Sequence, residues 1–126
     1  MNETTYTNKI RKLLEAQGAW CLKYRPGSGT KVGVPDLYVA DTHGDLWVEF
    51  KVKRNKVSGV QASVARQIME RDTLAVVLRG PEGSIESFDG KQFGTLDLER
   101  NIAAQLRGFA RRVQEYTLAD TFTPIS

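Results

Sequence analysis

Charged side chains interrupt a stretch that otherwise has the composition of β-strands, GVPDLYVADTHGDLWVEFKVK over residues 33–53. Side chains on a strand alternate between two faces, so Glu49 and Lys51 share one face while the neighbouring apolar residues occupy the other. The turn composition Thr-His-Gly predicts that the two halves pair as an antiparallel hairpin. A turn with an even number of residues then places Asp36 opposite Glu49 or Lys51, and either register brings both carboxylates within reach of one ion.

These residue types together predict hydrolysis of phosphodiesters with the help of a metal ion. Two adjacent carboxylates repel each other, and a divalent cation between them removes that conflict. Oxygen ligands suit Mg²⁺ or Mn²⁺, whereas the single histidine and single cysteine are too few soft ligands for a zinc site. Lys51 would orient or deprotonate a water, or stabilise charge that develops at phosphorus. The alternative is an exposed, salt-bridged sheet face without chemistry.

Hydrophobic periodicity predicts the elements that would position this hairpin. Apolar residues three and four apart predict a first helix that is capped by Asn2 or Thr4 and ends at Gly18. Alternation in AWCLKYRP predicts a half-buried strand between this helix and the hairpin. The glycine-rich segment GSGTKVG lacks the spacing of a P-loop, so we expect no nucleotide cofactor.

The second half of the chain continues the alternation of helices and strands. Ser58 is the expected cap of a second helix, and LAVVLRG predicts a strand that is buried on both faces. The expected apolar stripe of that helix comprises Val60, Val64 and Ile68, with Met69 as a further candidate. GSIESFDG predicts a further edge strand, and a C-terminal helix over about residues 96–116 precedes a tail, residues 117–126. The order is therefore α-β-β-β-α-β with a C-terminal addition.

Length and composition predict one intracellular domain. A chain of 126 residues can bury a core without disulfides, and its single cysteine, Cys21, cannot form an internal one. We expect a single domain over residues 1–126 whose core spans about residues 3–90. No apolar run approaches the roughly 20 residues of a membrane span, so we expect a cytoplasmic protein without a membrane partner. Lysine and arginine outnumber aspartate and glutamate by 18 to 15, a net charge of +3 that suits a polyanionic partner.

The motifs of the hairpin resemble those of a nuclease superfamily. The sequence is similar to the PD-(D/E)XK nucleases and, among them, to the virus-type replication-repair nuclease (VRR-NUC) family. Three blocks match that family in order and spacing, GVPDLYV, WVEFKVK and KVSGVQ, and the match covers about residues 3–80. The resemblance implies a restriction-endonuclease-like αβββαβ core with a mixed central sheet flanked by helices. It also implies metal-dependent cleavage of DNA by a standalone, phage-type protein.

The resemblance assigns roles to individual residues of the hairpin. Asp36 and Glu49 would bind the metal, the Phe50 carbonyl would be a further ligand, and Lys51 would be the catalytic lysine. The segment after this lysine, VKRNKVSG, departs from the glycine-rich run of the family and is more basic.

Two further roles come from the helices. Glu3, at the start of the first helix, would bind a second metal ion or position a water. Glu15 competes for this role, but it lies near the end of the helix. Gln61, at the start of the second helix, would bind Lys51, a water or a phosphate.

The resemblance also implies DNA as the partner. Six cations near the hairpin are candidates for contacts with the DNA backbone: Lys23, Arg25, Lys31, Lys53, Arg54 and Lys56. Since two DNA strands are handled more easily by two copies, we expect a homodimer formed through the C-terminal helix or an edge strand. The expected activity is that of a Mg²⁺-dependent endodeoxyribonuclease that acts on branched, Holliday-junction-like DNA or on specific duplex DNA. The alternatives are a site-specific enzyme of homing or restriction type and a catalytically idle DNA-binding module of the same fold.

Overall fold

Strands that follow one another in the chain lie side by side in the central sheet. The computed structural model describes residues 1–27 and 29–119. Across those residues the elements are α1 (Glu3–Ala16), β1 (Trp20–Lys23), β2 (Leu37–Asp41), β3 (Gly44–Val52), α2 (Gly59–Met69), β4 (Ala75–Gly80), β5 (Ser84–Glu86), β6 (Gln92–Thr95) and α3 (Ile102–Leu118). The sheet order is β1-β2-β3-β4-β5-β6; the β3–β4 pair is parallel and the other pairs are antiparallel. This confirms the predicted α/β fold, an αβββαβ core with a mixed sheet and a C-terminal helix.

The β2–β3 hairpin has one of the two registers that the sequence allowed. A two-residue Thr-His turn joins the strands after Asp41. Leu37 lies opposite Val48, and both side chains are fully buried. One residue further along the same register, Asp36 lies beside Glu49, on the other face of the sheet. The alternation therefore separates an apolar face from a charged face, as predicted.

Helices α1 and α3 cover the apolar face of the sheet. The Tyr6 ring of α1 meets Phe50 of β3 edge to face, with the ring centroids 5.9 Å apart. Gln17 joins the two helices, since its amide nitrogen donates to the Arg100 carbonyl at 2.9 Å and its amide oxygen accepts from the Ile102 N–H at 2.7 Å. The contact of Tyr6 with Phe50 places the first turn of α1 beside the end of β3.

The predicted caps of the first two helices are confirmed. The Asn2 side chain accepts a hydrogen bond from the Thr5 N–H at 2.8 Å and begins α1. The Ser58 hydroxyl accepts from the Gln61 N–H at 3.1 Å and begins α2. Gly18, which follows the end of α1, has a φ of +94°, a left-handed conformation that glycine adopts without strain.

The buried side of α2 differs in part from the predicted stripe. Met69, the further candidate of that stripe, is buried together with Ala65, whereas Val60 is 52% exposed. The reason is that Val60 faces the loop before β2 instead of the sheet, and this loop covers only part of its side chain. A Cβ on Gly33 would lie 2.6 Å from Val60 Cγ1 and 3.1 Å from Val64 Cγ2. Glycine at position 33 therefore lets the loop lie directly against the start of α2.

Two predictions for the C-terminal third are wrong. GSIESFDG forms β5, but β5 is not an edge strand because β6 pairs outside it. The Asp-Gly dipeptide at residues 89–90 is a hairpin signal that would have predicted this extra strand. Helix α3 begins at Ile102 rather than near residue 96, because the Asn101 side chain caps it by accepting from the Ala104 N–H at 2.8 Å.

The end of α3 also differs from the prediction. The helix continues to Leu118, two residues beyond the predicted end. Residues 120–126 of the predicted tail lie outside the described residues. Within the described residues, no helix is long and apolar enough to cross a membrane.

Strand β1 exposes the large apolar side chains of its alternating pattern. Trp20 and Leu22 are 59% and 52% exposed, whereas Cys21 packs against the core. The rings of Trp20, Tyr38, Trp47 and Tyr24 form a row with successive centroid distances of 6.2, 5.2 and 6.4 Å. We call these four side chains the aromatic row. It lies on the same face of the sheet as Glu49, because Trp47 and Glu49 are two residues apart on β3.

The close packing of Tyr6 against β4 gives a prediction about stability. A Cβ on Gly80 would lie 2.6 Å from the Tyr6 ring, so Gly80→Ala should displace the ring and lower the free energy of unfolding by about 1–3 kcal/mol. Gly108→Ala is the matched control, because Gly108 is a helical residue of α3 with nothing near its Cβ position. That variant should raise the free energy of unfolding by about 0.5–1 kcal/mol. Urea denaturation followed by circular dichroism measures both changes. Equal changes in the free energy of unfolding of the two variants would contradict the close packing of Tyr6 against Gly80.

Candidate active site

Three carboxylates from different elements meet at the end of β3. Asp36 lies just before β2, Glu49 lies on β3, and Glu3 is the first residue of α1. One oxygen of each lies within 4.8 Å of the others. The structure therefore brings together the three carboxylates that the sequence predicted as metal ligands, including Glu3 rather than its competitor Glu15.

Asp36 is held against β3 by backbone hydrogen bonds. Its Oδ2 accepts from the Phe50 N–H at 2.9 Å, and its own carbonyl accepts from the Tyr24 N–H at 2.8 Å. In an extended strand the N–H and C=O of one residue point to the same edge, so the Phe50 carbonyl also leaves β3 on the side of Asp36. This direction is compatible with the predicted role of that carbonyl as a ligand.

Glu49 is buried with one of its oxygens unpaired. The residue is 1% exposed. Its Oε2 accepts from Gln61 Nε2 at 3.1 Å and lies 3.4 Å from Lys51 Nζ. Its Oε1 accepts no hydrogen bond from any residue in the described part of the chain. An unpaired buried carboxylate oxygen is costly, and a bound cation would supply its missing partner.

Burial and mutual repulsion favour the protonated forms of these acids. Burial, followed by the neighbouring Asp36 carboxylate, raises the pKa of Glu49 to about 8, although Lys51 opposes this shift. Burial also raises the pKa of Asp36; the Phe50 N–H opposes that shift and Glu3 adds to it. A divalent cation would reverse this preference by stabilising the ionised carboxylates. The donor set, consisting of carboxylate oxygens and a backbone carbonyl, fits Mg²⁺ or Mn²⁺.

Gln61 serves both α2 and Glu49. Its Oε1 accepts from the Ser58 N–H at 2.9 Å, which completes a capping box at the start of the helix. Its Nε2 donates to Glu49 as described above. The sequence predicted that Gln61 would bind Lys51, a water or a phosphate, and the structure instead places it on a carboxylate. The same amide therefore begins α2 and orients Glu49.

Glu3 has a partner that the sequence did not predict. Asn55, in the loop after β3, donates from Nδ2 to Glu3 Oε2 at 3.1 Å. The two residues are 52 positions apart, and no local pattern relates them. Their pairing depends on how α1 packs across the end of β3.

Three of the predicted DNA-contacting cations lie in that same loop. They are Lys53, Arg54 and Lys56, and all three are exposed. Because the loop begins directly after β3 and contacts Glu3 through Asn55, these cations lie beside the carboxylate cluster.

The other predicted cations lie at the opposite side of the cluster. Lys23 and Arg25 line a shallow depression together with Arg11 of α1, a cation that the sequence analysis did not select. Lys31 is exposed in the loop before β2, where its carbonyl accepts from the Tyr24 hydroxyl at 2.6 Å. The six cations therefore flank the cluster in two groups.

A cleft of about 310 Å³ opens beside Asp36. One wall is the loop before β2, with Tyr24 and Val34, and the other is the start of α2, with Val60 and Gln61. Of the three carboxylates, Asp36 lines this cleft, so the cleft reaches one side of the cluster. Tyr24 also belongs to the aromatic row, so the cleft and that row are continuous.

A comparison with solved structures identifies the type of fold. The protein is similar to a Holliday junction resolvase, Hjc, from the archaeal hyperthermophile Archaeoglobus fulgidus, with a TM-score of 0.52 and 14% sequence identity. The similarity covers 65% of this chain and 72% of the resolvase chain. This chain has a nuclease-like fold. No protein-family model matches the chain, and no curated protein matches it.

The raised pKa of Glu49 predicts how stability depends on pH when no metal is bound. Between about pH 4.5 and 8 the folded state keeps a proton on Glu49 that the unfolded state has released. The free energy of unfolding therefore falls as pH rises through this window. Glu49→Gln removes this contribution because its amide carries no titrating proton.

Thermal unfolding in EDTA tests this dependence on Glu49. The melting temperature of Glu49→Gln relative to the unchanged protein should be higher at pH 8.5 than at pH 5. If this difference in melting temperature is the same at both pH values, the ionisation of Glu49 does not destabilise the folded state.

Proposed function

We propose that this protein is a metal-dependent endodeoxyribonuclease that hydrolyses phosphodiester bonds, with branched DNA as its first candidate substrate. The observation that carries the proposal is the carboxylate cluster at the end of β3, with the unpaired Glu49 Oε1 inside it and Lys51 beside it. The nuclease-like fold supports the same chemistry. The similarity to a structure named as a Holliday junction resolvase is the reason to begin with branched DNA.

Each residue of the site has a defined part in the proposed reaction. Glu49, Asp36 and Glu3 would hold Mg²⁺ or Mn²⁺, with the Phe50 carbonyl as a further ligand. When bound, the ion would stabilise charge on the phosphate and lower the pKa of a water. Lys51 would place its ammonium group beside the reacting phosphate, where it stabilises developing negative charge or moves a proton. Gln61 would keep Glu49 in its ligating orientation.

The surroundings of the site suit a DNA backbone. The two groups of cations flank the cluster, and backbone phosphates are neutralised by such side chains irrespective of sequence. The cleft beside Asp36 leaves room for a phosphodiester to approach. We therefore expect Lys23, Arg25, Lys31, Lys53, Arg54 and Lys56 to contribute affinity that weakens as salt is raised.

We also propose membership of the VRR-NUC family. The motif residues Asp36, Glu49, Lys51 and Gln61 converge on one site, although they come from three blocks of sequence. A standalone enzyme of phage type, acting on DNA in the cytoplasm of a host cell, agrees with this assignment.

A second copy of this chain is the proposed partner of strand β1. Trp20 and Leu22 form an exposed apolar surface on an edge strand, and the aromatic row continues it across β2 and β3. Tryptophan and tyrosine are enriched at the centres of protein interfaces. A two-fold axis through this face would place two sites on one assembly, one for each DNA strand.

Cleavage assays with a lysine variant test the proposed activity. The purified protein is incubated with a four-way junction, linear duplex and supercoiled plasmid, in Mg²⁺ or in EDTA. Lys51→Met keeps the length of the side chain and removes its charge, so it should lower the rate of cleavage about 10²- to 10⁴-fold. Gel-shift assays should show that the variant still binds DNA within a few-fold.

The pattern of products separates the competing functions. Cleavage of the junction alone supports the branched-DNA proposal, whereas a unique fragment from long duplex DNA indicates a site-specific enzyme. DNA binding without metal-dependent cleavage of any substrate would identify the protein as an idle binding module and would overturn the proposed activity.

Light scattering coupled to size-exclusion chromatography tests the proposed dimer. The unchanged protein should elute with the mass of two chains, and the Trp20→Ser/Leu22→Ser variant should elute as a monomer at the same concentration. Leu98→Ser is the control, because Leu98 is also exposed but lies outside β1. A variant that remains dimeric would exclude β1 as the contact surface.

A further inference from the structure

Asn55, the partner of Glu3, lies in a loop whose backbone is fixed from the other side by Arg79. Arg79 lies on β4 and donates from Nη1 to the carbonyl oxygen of Lys53 at 3.1 Å and to that of Asn55 at 2.7 Å. The two hydrogen bonds hold the backbone on both sides of residue 54. From the same residue, the Asn55 side chain extends to Glu3.

Glu86 on β5 orients the guanidinium group of Arg79. Arg79 Nε lies 3.1 and 2.9 Å from the two carboxylate oxygens of Glu86, and the Ser84 hydroxyl donates to Glu86 Oε2 at 3.2 Å. The side chains of Arg79 and Glu86 are only 19% and 10% exposed. Because a guanidinium is a rigid planar fork, a carboxylate bound at Nε directs the remaining donors toward the loop.

Few other contacts among the described residues hold this loop. Residues 53–56 are exposed, and Lys53 has a φ of +55°, a left-handed conformation that is unfavourable for residues other than glycine. Two backbone hydrogen bonds also hold the loop, from the Asn55 N–H to the Val52 carbonyl at 3.2 Å and from the Lys53 N–H to the Gly80 carbonyl at 3.3 Å. The charge-assisted hydrogen bonds from Arg79 offset the unfavourable backbone conformation.

We propose that Arg79, paired with Glu86, is a positioning residue for the metal site and acts through Asn55 on Glu3. The proposal rests on the proposed function, because it assumes that Glu3 binds a divalent ion. Mg²⁺ demands near-ideal ligand geometry, so a Glu3 side chain that rotates freely is a poorer ligand than one held by an amide. Groups that orient metal ligands in this way typically contribute 10- to 100-fold in affinity.

Two variants interrupt the connection at different points. Asn55→Ala removes the amide from an exposed residue and leaves the sheet intact. Arg79→Gln/Glu86→Gln removes both charges together, so that neither is left buried and unpaired. Isothermal titration of the full chain with Mn²⁺ should give a dissociation constant about 10- to 100-fold higher for each variant than for the unchanged protein.

Combining the substitutions tests whether they act through one connection. The triple variant should bind Mn²⁺ no more than about threefold more weakly than Asn55→Ala alone, because the same contact is lost in each case. In cleavage assays the metal concentration for half-maximal rate should rise, while the rate at saturating metal recovers. If the substituted residues served only to stabilise the fold, the substitutions would instead lower the fraction of protein that binds Mn²⁺.

A second charged pair provides the matched control. Arg107 and Asp41 lie 2.8 Å apart with side chains 15% and 13% exposed, and Asp41 is at the opposite end of β2 from Asp36. The Arg107→Gln/Asp41→Asn variant should bind Mn²⁺ as the unchanged protein does. An unchanged dissociation constant in Asn55→Ala, or an equal loss in the control pair, would overturn the positioning role. Failure of the unchanged protein to bind Mn²⁺ would overturn the proposed function itself.

Discussion

The burial of Glu49 beside Asp36 is the constraint on which the site depends. A carboxylate that is 1% exposed and adjacent to a second acid opposes its own ionisation, which raises its pKa to about 8. Lys51 offsets only part of the cost of ionising Glu49. Its Nζ lies 3.4 Å from one carboxylate oxygen of Glu49, and the other oxygen has no partner among the described residues. A sheet selected for stability alone would carry an apolar residue there. The arrangement is favourable only if positive charge enters the cluster, and this links the stability of the fold to the proposed chemistry.

The architecture explains how residues distant in sequence reach one point. The tight hairpin brings Asp36 to Glu49, and the parallel pairing of β3 and β4 requires a crossover that carries α2 over the charged face. Helix α1 enters from the apolar side, where Tyr6 packs on Phe50 and sets the position of Glu3 one turn earlier. Each element therefore contributes at least one side chain, and the core between them determines how those side chains meet.

Local patterns predicted the part of the site that local geometry controls. Alternation and turn composition placed Asp36 opposite Glu49 or Lys51, and the structure selects Glu49. Ser58 was correctly identified as the cap of α2. The outward direction of Trp20 and Leu22 was not predictable, because alternation separates two faces without showing which one is buried. The hydrogen bond from Asn55 to Glu3 and the one from Arg79 to the loop depend on the packing of distant elements. No spacing in the sequence therefore reveals them. The catalytic and ligating roles of the site residues stay predictions.

The double use of Gln61 restricts which residues this position can accept. A capping box forms equally well with glutamate or glutamine, so helix formation alone would leave the choice between them open. Here the amide nitrogen donates to Glu49, and a glutamate would instead add another negative charge to a cluster that already repels itself. The capping of α2 and the hydrogen bond to Glu49 together therefore favour glutamine at position 61. Among chains that share this hairpin, glutamine at the third residue of the following helix can serve as a marker for the same arrangement of acids.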